Sequence, residues 1–186
     1  MEDSLFLSKV KTLKTWSNKG NRSPHKPLLI LYALGLLVNG KEKLLYKESV
    51  EDLKRLLIAF GPHRKIQQPR YPFVRLISDG IWDLNTNLEI QKNKDYSDNS
   101  LIENNTSGSS TTEVRNELSS KPNLINTVIQ YLLERNFPES LHREILLSCG
   151  LNFLKYTFDQ KRKEIQNLEK LSLKNINILV QCVIIV

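Results

Sequence analysis

The sequence carries very little cysteine chemistry. Its two cysteines, Cys149 and Cys182, are too few for a disulfide framework, and Cys149 sits in an apolar, helix-prone stretch that reads as plain core. With only three histidines, no Cys/His cluster has complete zinc spacing, so neither a metal site nor a cofactor is expected. No apolar run reaches the roughly 18–20 residues that a membrane-spanning helix needs. The longest, Leu28 to Val38, has the length of a buried helix. The start, MEDSLFLSKVK, lacks the basic opening and small-residue cleavage site of a secretory signal, and a cytoplasmic location is the expectation. Glycine and proline are sparse, seven of each, which leaves most of the chain able to fold.

What is present is positive charge on one side of the sequence. The chain of 186 residues has a formal net charge of +7. Residues 1–94 hold 17 Lys/Arg against 9 Asp/Glu, whereas residues 95–186 hold 10 against 11. The whole positive excess therefore lies in the N-terminal half, which is the distribution expected of a segment that meets a polyanion. An inert basic surface is the plainer alternative.

Residues 2–16 have apolar positions at Leu5, Val10, Leu13 and Trp16 in roughly helical spacing, followed by a polar loop from Ser17 to Pro24. Pro24-His25-Lys26-Pro27 opens the next helix, because proline suits a first turn whose N–H groups have no partner. That helix is apolar on nearly every side, hence central, and Asn39-Gly40 ends it. Lys43 to Tyr46 reads as a short strand. Ser49 and Asp52 read as a capping box for a third helix with the stripe Val50, Leu53, Leu56, Leu57 and Phe60. Phe73 to Ile77 and Ile81 to Leu84 flank Asp79-Gly80, a hairpin signal. The expected fold class is α+β: a winged-helix-like helical domain with a β-hairpin over residues 1–92, then a small helical region. Residues 93–113 read as a linker or long loop, residues 114–175 as the helical region, and residues 176–186 as an apolar tail. Within the helical region, Leu124 to Leu133 and Pro138 to Gly150 are the expected helices, the second capped by Ser140.

Three short segments carry candidate chemistry. Asn21 to Pro27 brings Arg22, His25 and Lys26 to a helix start, where backbone N–H groups favour a phosphate. The alternative is that His25 caps the helix and the cations are merely solvated. Gly61-Pro62-His63-Arg64-Lys65 is a basic loop suited either to phosphate contact or to solvent. Pro69-Arg70-Tyr71-Pro72-Phe73 places a rigid Tyr-Pro surface beside a guanidinium, although fixing a turn and sending Phe73 into the core would explain the same residues.

The segments NRSPHKPLLILYALGLL, FGPHRK, YPFVRLISDGIWDL and FPESLHREILLSCGL, in that order over roughly residues 5–150, resemble the sulfur-binding domain of phosphorothioation-dependent, McrA-like type IV restriction endonucleases. In those enzymes that domain precedes an HNH nuclease. The resemblance implies an apolar cavity for the sulfur lined by Tyr71 and Pro72, with His25 and Lys26 beside it. It also implies supporting DNA contacts from Arg22 and Arg70; the basic loop adds His63, Arg64 and Lys65. The implied partner is double-stranded DNA, preferably phosphorothioated, with a separate nuclease as a further candidate and no membrane.

The sequence departs from the family where an HNH domain would begin. Cys182 resembles the first cysteine of the expected Cys-x-x-Cys, but Ile185 stands in the second position, and no histidine follows Arg143. An HNH site needs a histidine base and ligands for a divalent metal. No catalytic residue is therefore expected, and His142 and Glu144 read as structural. The chain looks like a truncated, split or frame-shifted relative. The alternatives are a fragment of an HNH endonuclease that cleaves modified DNA, a winged-helix regulator of unmodified DNA, and a protein-interaction module with no DNA partner.

Overall fold

The computed structural model describes residues 4–15, 17–18, 21–63, 65–91 and 94–151, with the side chains of residues 17, 18, 21 and 22 left out. Within it the fold is built around the helix that the sequence marks as apolar all round. That helix, α2 (His25–Val38), buries Leu28, Leu29, Ile30, Leu31 and Leu34, and ends at Asn39 with Gly40 at φ 81°. Ahead of it lie α1 (Leu5–Lys11) and a minimal antiparallel pair, β1 (Ser17–Asn18) with β2 (Asn21–Arg22). Ser4 caps α1 through its hydroxyl, which accepts the Leu7 N–H at 3.1 Å.

After α2 come β3 (Leu44–Leu45) and α3 (Tyr46–Phe60), whose stripe Val50, Leu53, Leu56 and Leu57 is buried. Ser49 caps nothing there: α3 begins three residues earlier, and Ser49 is a buried residue of its second turn. The strand already stops at Leu45, so the first turn forms directly from it.

The expected hairpin over residues 73–84 is absent. Residues Arg70–Arg75 form a short helix, α4, continued by a tighter helical turn over Leu76–Asp79. Pro72 is compatible with this because it falls in the first turn, where no N–H is required. The Asp79-Gly80 pair ends the helical run instead of turning a hairpin: Gly80 is left-handed at φ 70° and its N–H donates to Ile77 O at 2.9 Å. The strand β4 follows at Trp82–Asn85.

Its partner comes from the stretch read as a linker. There, α5 (Asp98–Glu103) is capped by Ser97, and β5 (Ser107–Ser110) lies between the other two strands in the antiparallel order β3-β5-β4. Trp82 faces Ser110, and Leu45 faces Ser107. The polar, small-residue sequence of β5 disguises it, but the fold demands small residues here. A Cβ on Gly108 would lie 2.2 Å from Cζ2 of Trp82, so the indole lies directly against this backbone.

Three further helices, α6 (Thr112–Ser120), α7 (Leu124–Asn136) and α8 (Glu139–Ser148), complete the compact unit, which extends to Leu151. α1 packs on α6 and α7, and α2 also packs on α7, so residues 114–151 share the core of the N-terminal segment. The Glu117 carboxylate accepts the N–H groups of Leu5 and Phe6 at 3.1 and 2.8 Å, joining α6 to the start of α1. Ser140 is not the cap of α8; that position is Pro138. Cys149 is buried core, and His142 Nε2 is 3.0 Å from Phe137 O, a local structural contact. The expected helix beyond Leu151, the apolar tail and Cys182 lie outside the described residues. The class is α+β, with its sheet assembled from distant segments, and no helix among the described residues is long and apolar enough to cross a membrane.

Candidate nucleic-acid interface

α4 is the centre of the candidate site. Phe73 points inward, fully buried, with its ring 4.8 Å from that of Tyr46 and edge-on to Trp82 at 5.9 Å. Pro72 and Val74 are buried with it. This aromatic anchor fixes the rotation of a helix too short to be stable alone, and it leaves Tyr71 half-exposed on the other side.

Two guanidinium groups attend the Tyr71 ring. Arg70 Cζ lies 4.8 Å and Arg75 Cζ 4.7 Å from its centroid, both within cation–π range. Arg70 is held by Gln68 Oε1 at 3.1 Å and by Asp98 at 3.7 Å. Asp98 also accepts the hydroxyl of buried Tyr46 at 2.6 Å. Burial, and then this bond to a carboxylate, push the Tyr46 phenol upward from its ordinary range. Arg75 pairs with Asp95 at 2.6 Å. The first residue of α5 and the segment just before it thus supply a carboxylate to each arginine.

The helix-start residues divide. His25 begins α2, with its Nδ1 and Ser23 Oγ in a 2.6 Å hydrogen bond. Lys26 turns inward: its ammonium donates to Asp79 Oδ2 at 2.5 Å and to Lys14 O at 2.9 Å. Asp79 in turn accepts the Lys14 N–H at 2.9 Å. Lys26 therefore fastens the start of α2 to the turn that follows α4, with its charge spent on a buried partner. In the DNA-free chain both Asp79 and the Lys14 carbonyl engage the Lys26 ammonium. Lys9 adds a neighbouring tie, donating to Gly80 O at 2.7 Å.

Of the basic loop, His63 and Lys65 are exposed, and Arg64 lies outside the described residues. Arg22 is placed by its backbone alone, in β2 opposite Ser17. Arg75, Asp95 and Asp98 are members of the site that sequence reading missed. The usable signal for Arg75 was its position four residues after Tyr71, which puts the two on one helix face; read as a strand, the segment sends them to the same side without that proximity.

Among the described residues, no group of three or more His, Cys, Asp or Glu side chains could hold a metal ion. What the arrangement offers is an aromatic surface flanked by guanidinium groups on a rigid, aromatic-anchored helix.

The model of the ScoMcrA-like DNA sulfur-binding domain family matches residues 3–154. No match was found among curated proteins. Among solved structures, the sulfur-binding domain of ScoMcrA complexed with phosphorothioated DNA is 21% identical with a TM-score of 0.66, the alignment covering 80% of this chain and 97% of that one. The sulfur-binding domain of SprMcrA, also complexed with phosphorothioated DNA, is 24% identical with a TM-score of 0.66, covering 78% of this chain and 92% of the other. The type IV phosphorothioation-dependent restriction endonuclease ScoMcrA gives 20% identity and a TM-score of 0.62, and this chain spans only 29% of it. These likenesses share the fold described above, and the family match covers all of the described residues. The chain belongs to the ScoMcrA-like DNA sulfur-binding domain family, a DNA-binding rather than a catalytic domain.

Proposed function

We propose that this chain binds double-stranded DNA and reads a single phosphorothioate in its backbone. The observation that carries the reading is the family match over residues 3–154, which includes the Tyr71-Pro72 pair on its buttressed helix. Tyr71 presents the apolar surface to the sulfur, and buried Pro72 stiffens the wall behind it. Arg70 and His25 contact neighbouring phosphates, with Arg22, His63, Arg64 and Lys65 giving outlying contacts. Lys26 serves this surface by holding the start of α2 against the Asp79 turn.

The chemistry of the two backbones supplies the selectivity. Sulfur is larger, more polarizable and a poorer hydrogen-bond acceptor than the oxygen it replaces. An apolar surface strips water from an ordinary phosphate oxygen without compensation, at a cost of roughly 1–3 kcal/mol or more. Sulfur loses less hydration on entering and gains dispersion contacts. Discrimination then arises partly from the penalty imposed on normal DNA. The basic residues supply an affinity common to both DNAs, which falls as salt rises. Recognition of the modified backbone is the role proposed for this domain.

The test is a titration of two duplexes identical except for one Rp-phosphorothioate, at about 0.15 M salt. Binding of the sulfur duplex tighter by about tenfold, or about 1.4 kcal/mol, is the expected result. Equal affinities would reduce the chain to a general basic DNA binder.

A further inference from the structure

We infer that Arg75 is a backbone-phosphate contact and that Asp95 is its built-in competitor, a carboxylate that holds the guanidinium until DNA displaces it. The inference rests on the reading above and assigns to this pair an effect on affinity, not on sulfur discrimination.

Arg75 has the position such a contact needs. It is exposed, one helical turn beyond Tyr71, with its Cζ 4.7 Å from the ring centroid, so any strand laid across Tyr71 passes within its reach. A guanidinium binds phosphate and carboxylate oxygens with the same fork of N–H donors. The pair with Asp95 is therefore chemically equivalent to a pair with a phosphodiester, and one can be exchanged for the other. Exposure makes the exchange easy: both side chains of the pair are 53% accessible, unlike the sealed pair of Lys26 with Asp79.

Asp95 cannot follow Arg75 onto DNA. The next residue, Tyr96, is buried, and its hydroxyl donates to Glu89 O at 2.7 Å and accepts the Gln91 N–H at 2.9 Å. Two residues further, Ser97 and Asp98 start α5. The carboxylate is thus fixed close to the surface, where it both occupies Arg75 in the free protein and repels a phosphate in the complex. When DNA takes Arg75, Asp95 is left without its partner and draws a cation from solution. That uptake offsets one of the counterions released from DNA and blunts the dependence on salt.

The experiment is fluorescence-anisotropy titration of the full chain with the phosphorothioate duplex and its all-oxygen twin over a series of salt concentrations, with thermal melts to establish that each variant is folded. Asp95→Asn is expected to bind both duplexes roughly two- to fivefold more tightly, the range that an exposed ion pair commands. Its plot of log affinity against log salt should steepen by up to about one ion. Arg75→Gln is expected to weaken both duplexes equally and to flatten that plot only by the part of one ion that uptake at Asp95 leaves uncancelled, so that the two slope changes together make about one ion, while Arg75→Lys retains the slope. Several results would overturn the inference while leaving the sulfur reading intact: a sulfur-selective protein whose Asp95→Asn and Arg75→Gln variants titrate like the wild type, an Asp95→Asn variant that binds more weakly, or an Arg75→Gln variant whose sulfur preference alone changes. A wild-type chain that binds neither duplex would remove the reading and the inference together.

Discussion

Lys26 and Asp79 meet at 2.5 Å with side-chain exposures of only 11% and 2%, joining the first turn of α2 to the end of the helical run that contains Tyr71. A salt bridge this dry contributes less by its attraction than by the damage its disruption does. Loss of one partner leaves an unpaired buried charge, a loss of roughly 3–5 kcal/mol. Lys26→Met should therefore lower the urea midpoint by that amount in free energy, even with no DNA present. Lys26→Met combined with Asp79→Leu, which removes both charges, should recover much of it. A single variant with an unshifted midpoint would show that the pair contributes nothing to the fold.

Gly35 of α2 lies against the end of α8, and a Cβ there would be 1.7 Å from the carbonyl oxygen of Cys149. The obstacle is backbone, so α2 and the C-terminal turn must separate to admit even a methyl group. Gly35→Ala should cost at least about 1–3 kcal/mol, as overpacking does. Gly40 makes a contrast. It has nothing within 4 Å of the added atom but stands at φ +81°, so Gly40→Ala bears conformational strain alone, of about 1 kcal/mol. Chemical denaturation of the two variants should rank them in that order.

These same contacts explain which parts of the fold were legible in the sequence. α2 was readable because its proline start, apolar body and Asn39-Gly40 stop agree with one another. The stripe of α3 was equally plain, although its first turn was not, because a strand leads into it without any capping side chain. β4 and β5 were unreadable as a pair. Their partners are 22 to 28 residues apart in the chain, and β5 is made of serine and glycine because Trp82 covers it, which is a tertiary demand. The site was legible in Tyr71 and Pro72 as residues but not as a surface. Arg75, Asp95 and Asp98 gather there only after α4 is helical and α5 has folded back beside it. Lys26 shows a further limit: the sequence marks it as a cation at a helix start but does not reveal its buried carboxylate partner, 53 residues away.

Alkaline pH should unfold the protein earlier than its net charge alone would suggest. Burial raises the Cys149 thiol from an ordinary 9.0 to about 12. Burial, and then its hydrogen bond to Asp52, raise the Tyr32 phenol from 10.0 to about 12. Both groups stay protonated in the folded chain at pH values where the unfolded chain has lost those protons. Their contribution is intact below about pH 9 and drains away as pH climbs towards 12, each group steepening the fall by up to about 1.4 kcal/mol per pH unit. Stability measured by urea titration from pH 7 to 11 should be level at first and decline above 9. Cys149→Ala should fall less steeply with pH; an identical slope in the variant would exclude the thiol as a source.

Tyr71 divides the sulfur surface into two separable parts, ring and hydroxyl. The ring supplies the apolar face and the site over which Arg70 and Arg75 rest. Tyr71→Phe keeps that face and should hold sulfur discrimination within about threefold of wild type, which is less than 1 kcal/mol. Tyr71→Ala removes it, so the two duplexes should bind with nearly equal and weak affinity, sustained by the remaining cations. Because Tyr71 is half-exposed while Phe73 anchors the helix from the opposite side, the alanine variant should still fold, and its melt provides the check. Tyr71→Ala retaining full preference for sulfur would place the discriminating surface elsewhere in the chain. Loss of preference in Tyr71→Phe as well would make the hydroxyl, rather than the apolar face, the feature that distinguishes sulfur from oxygen.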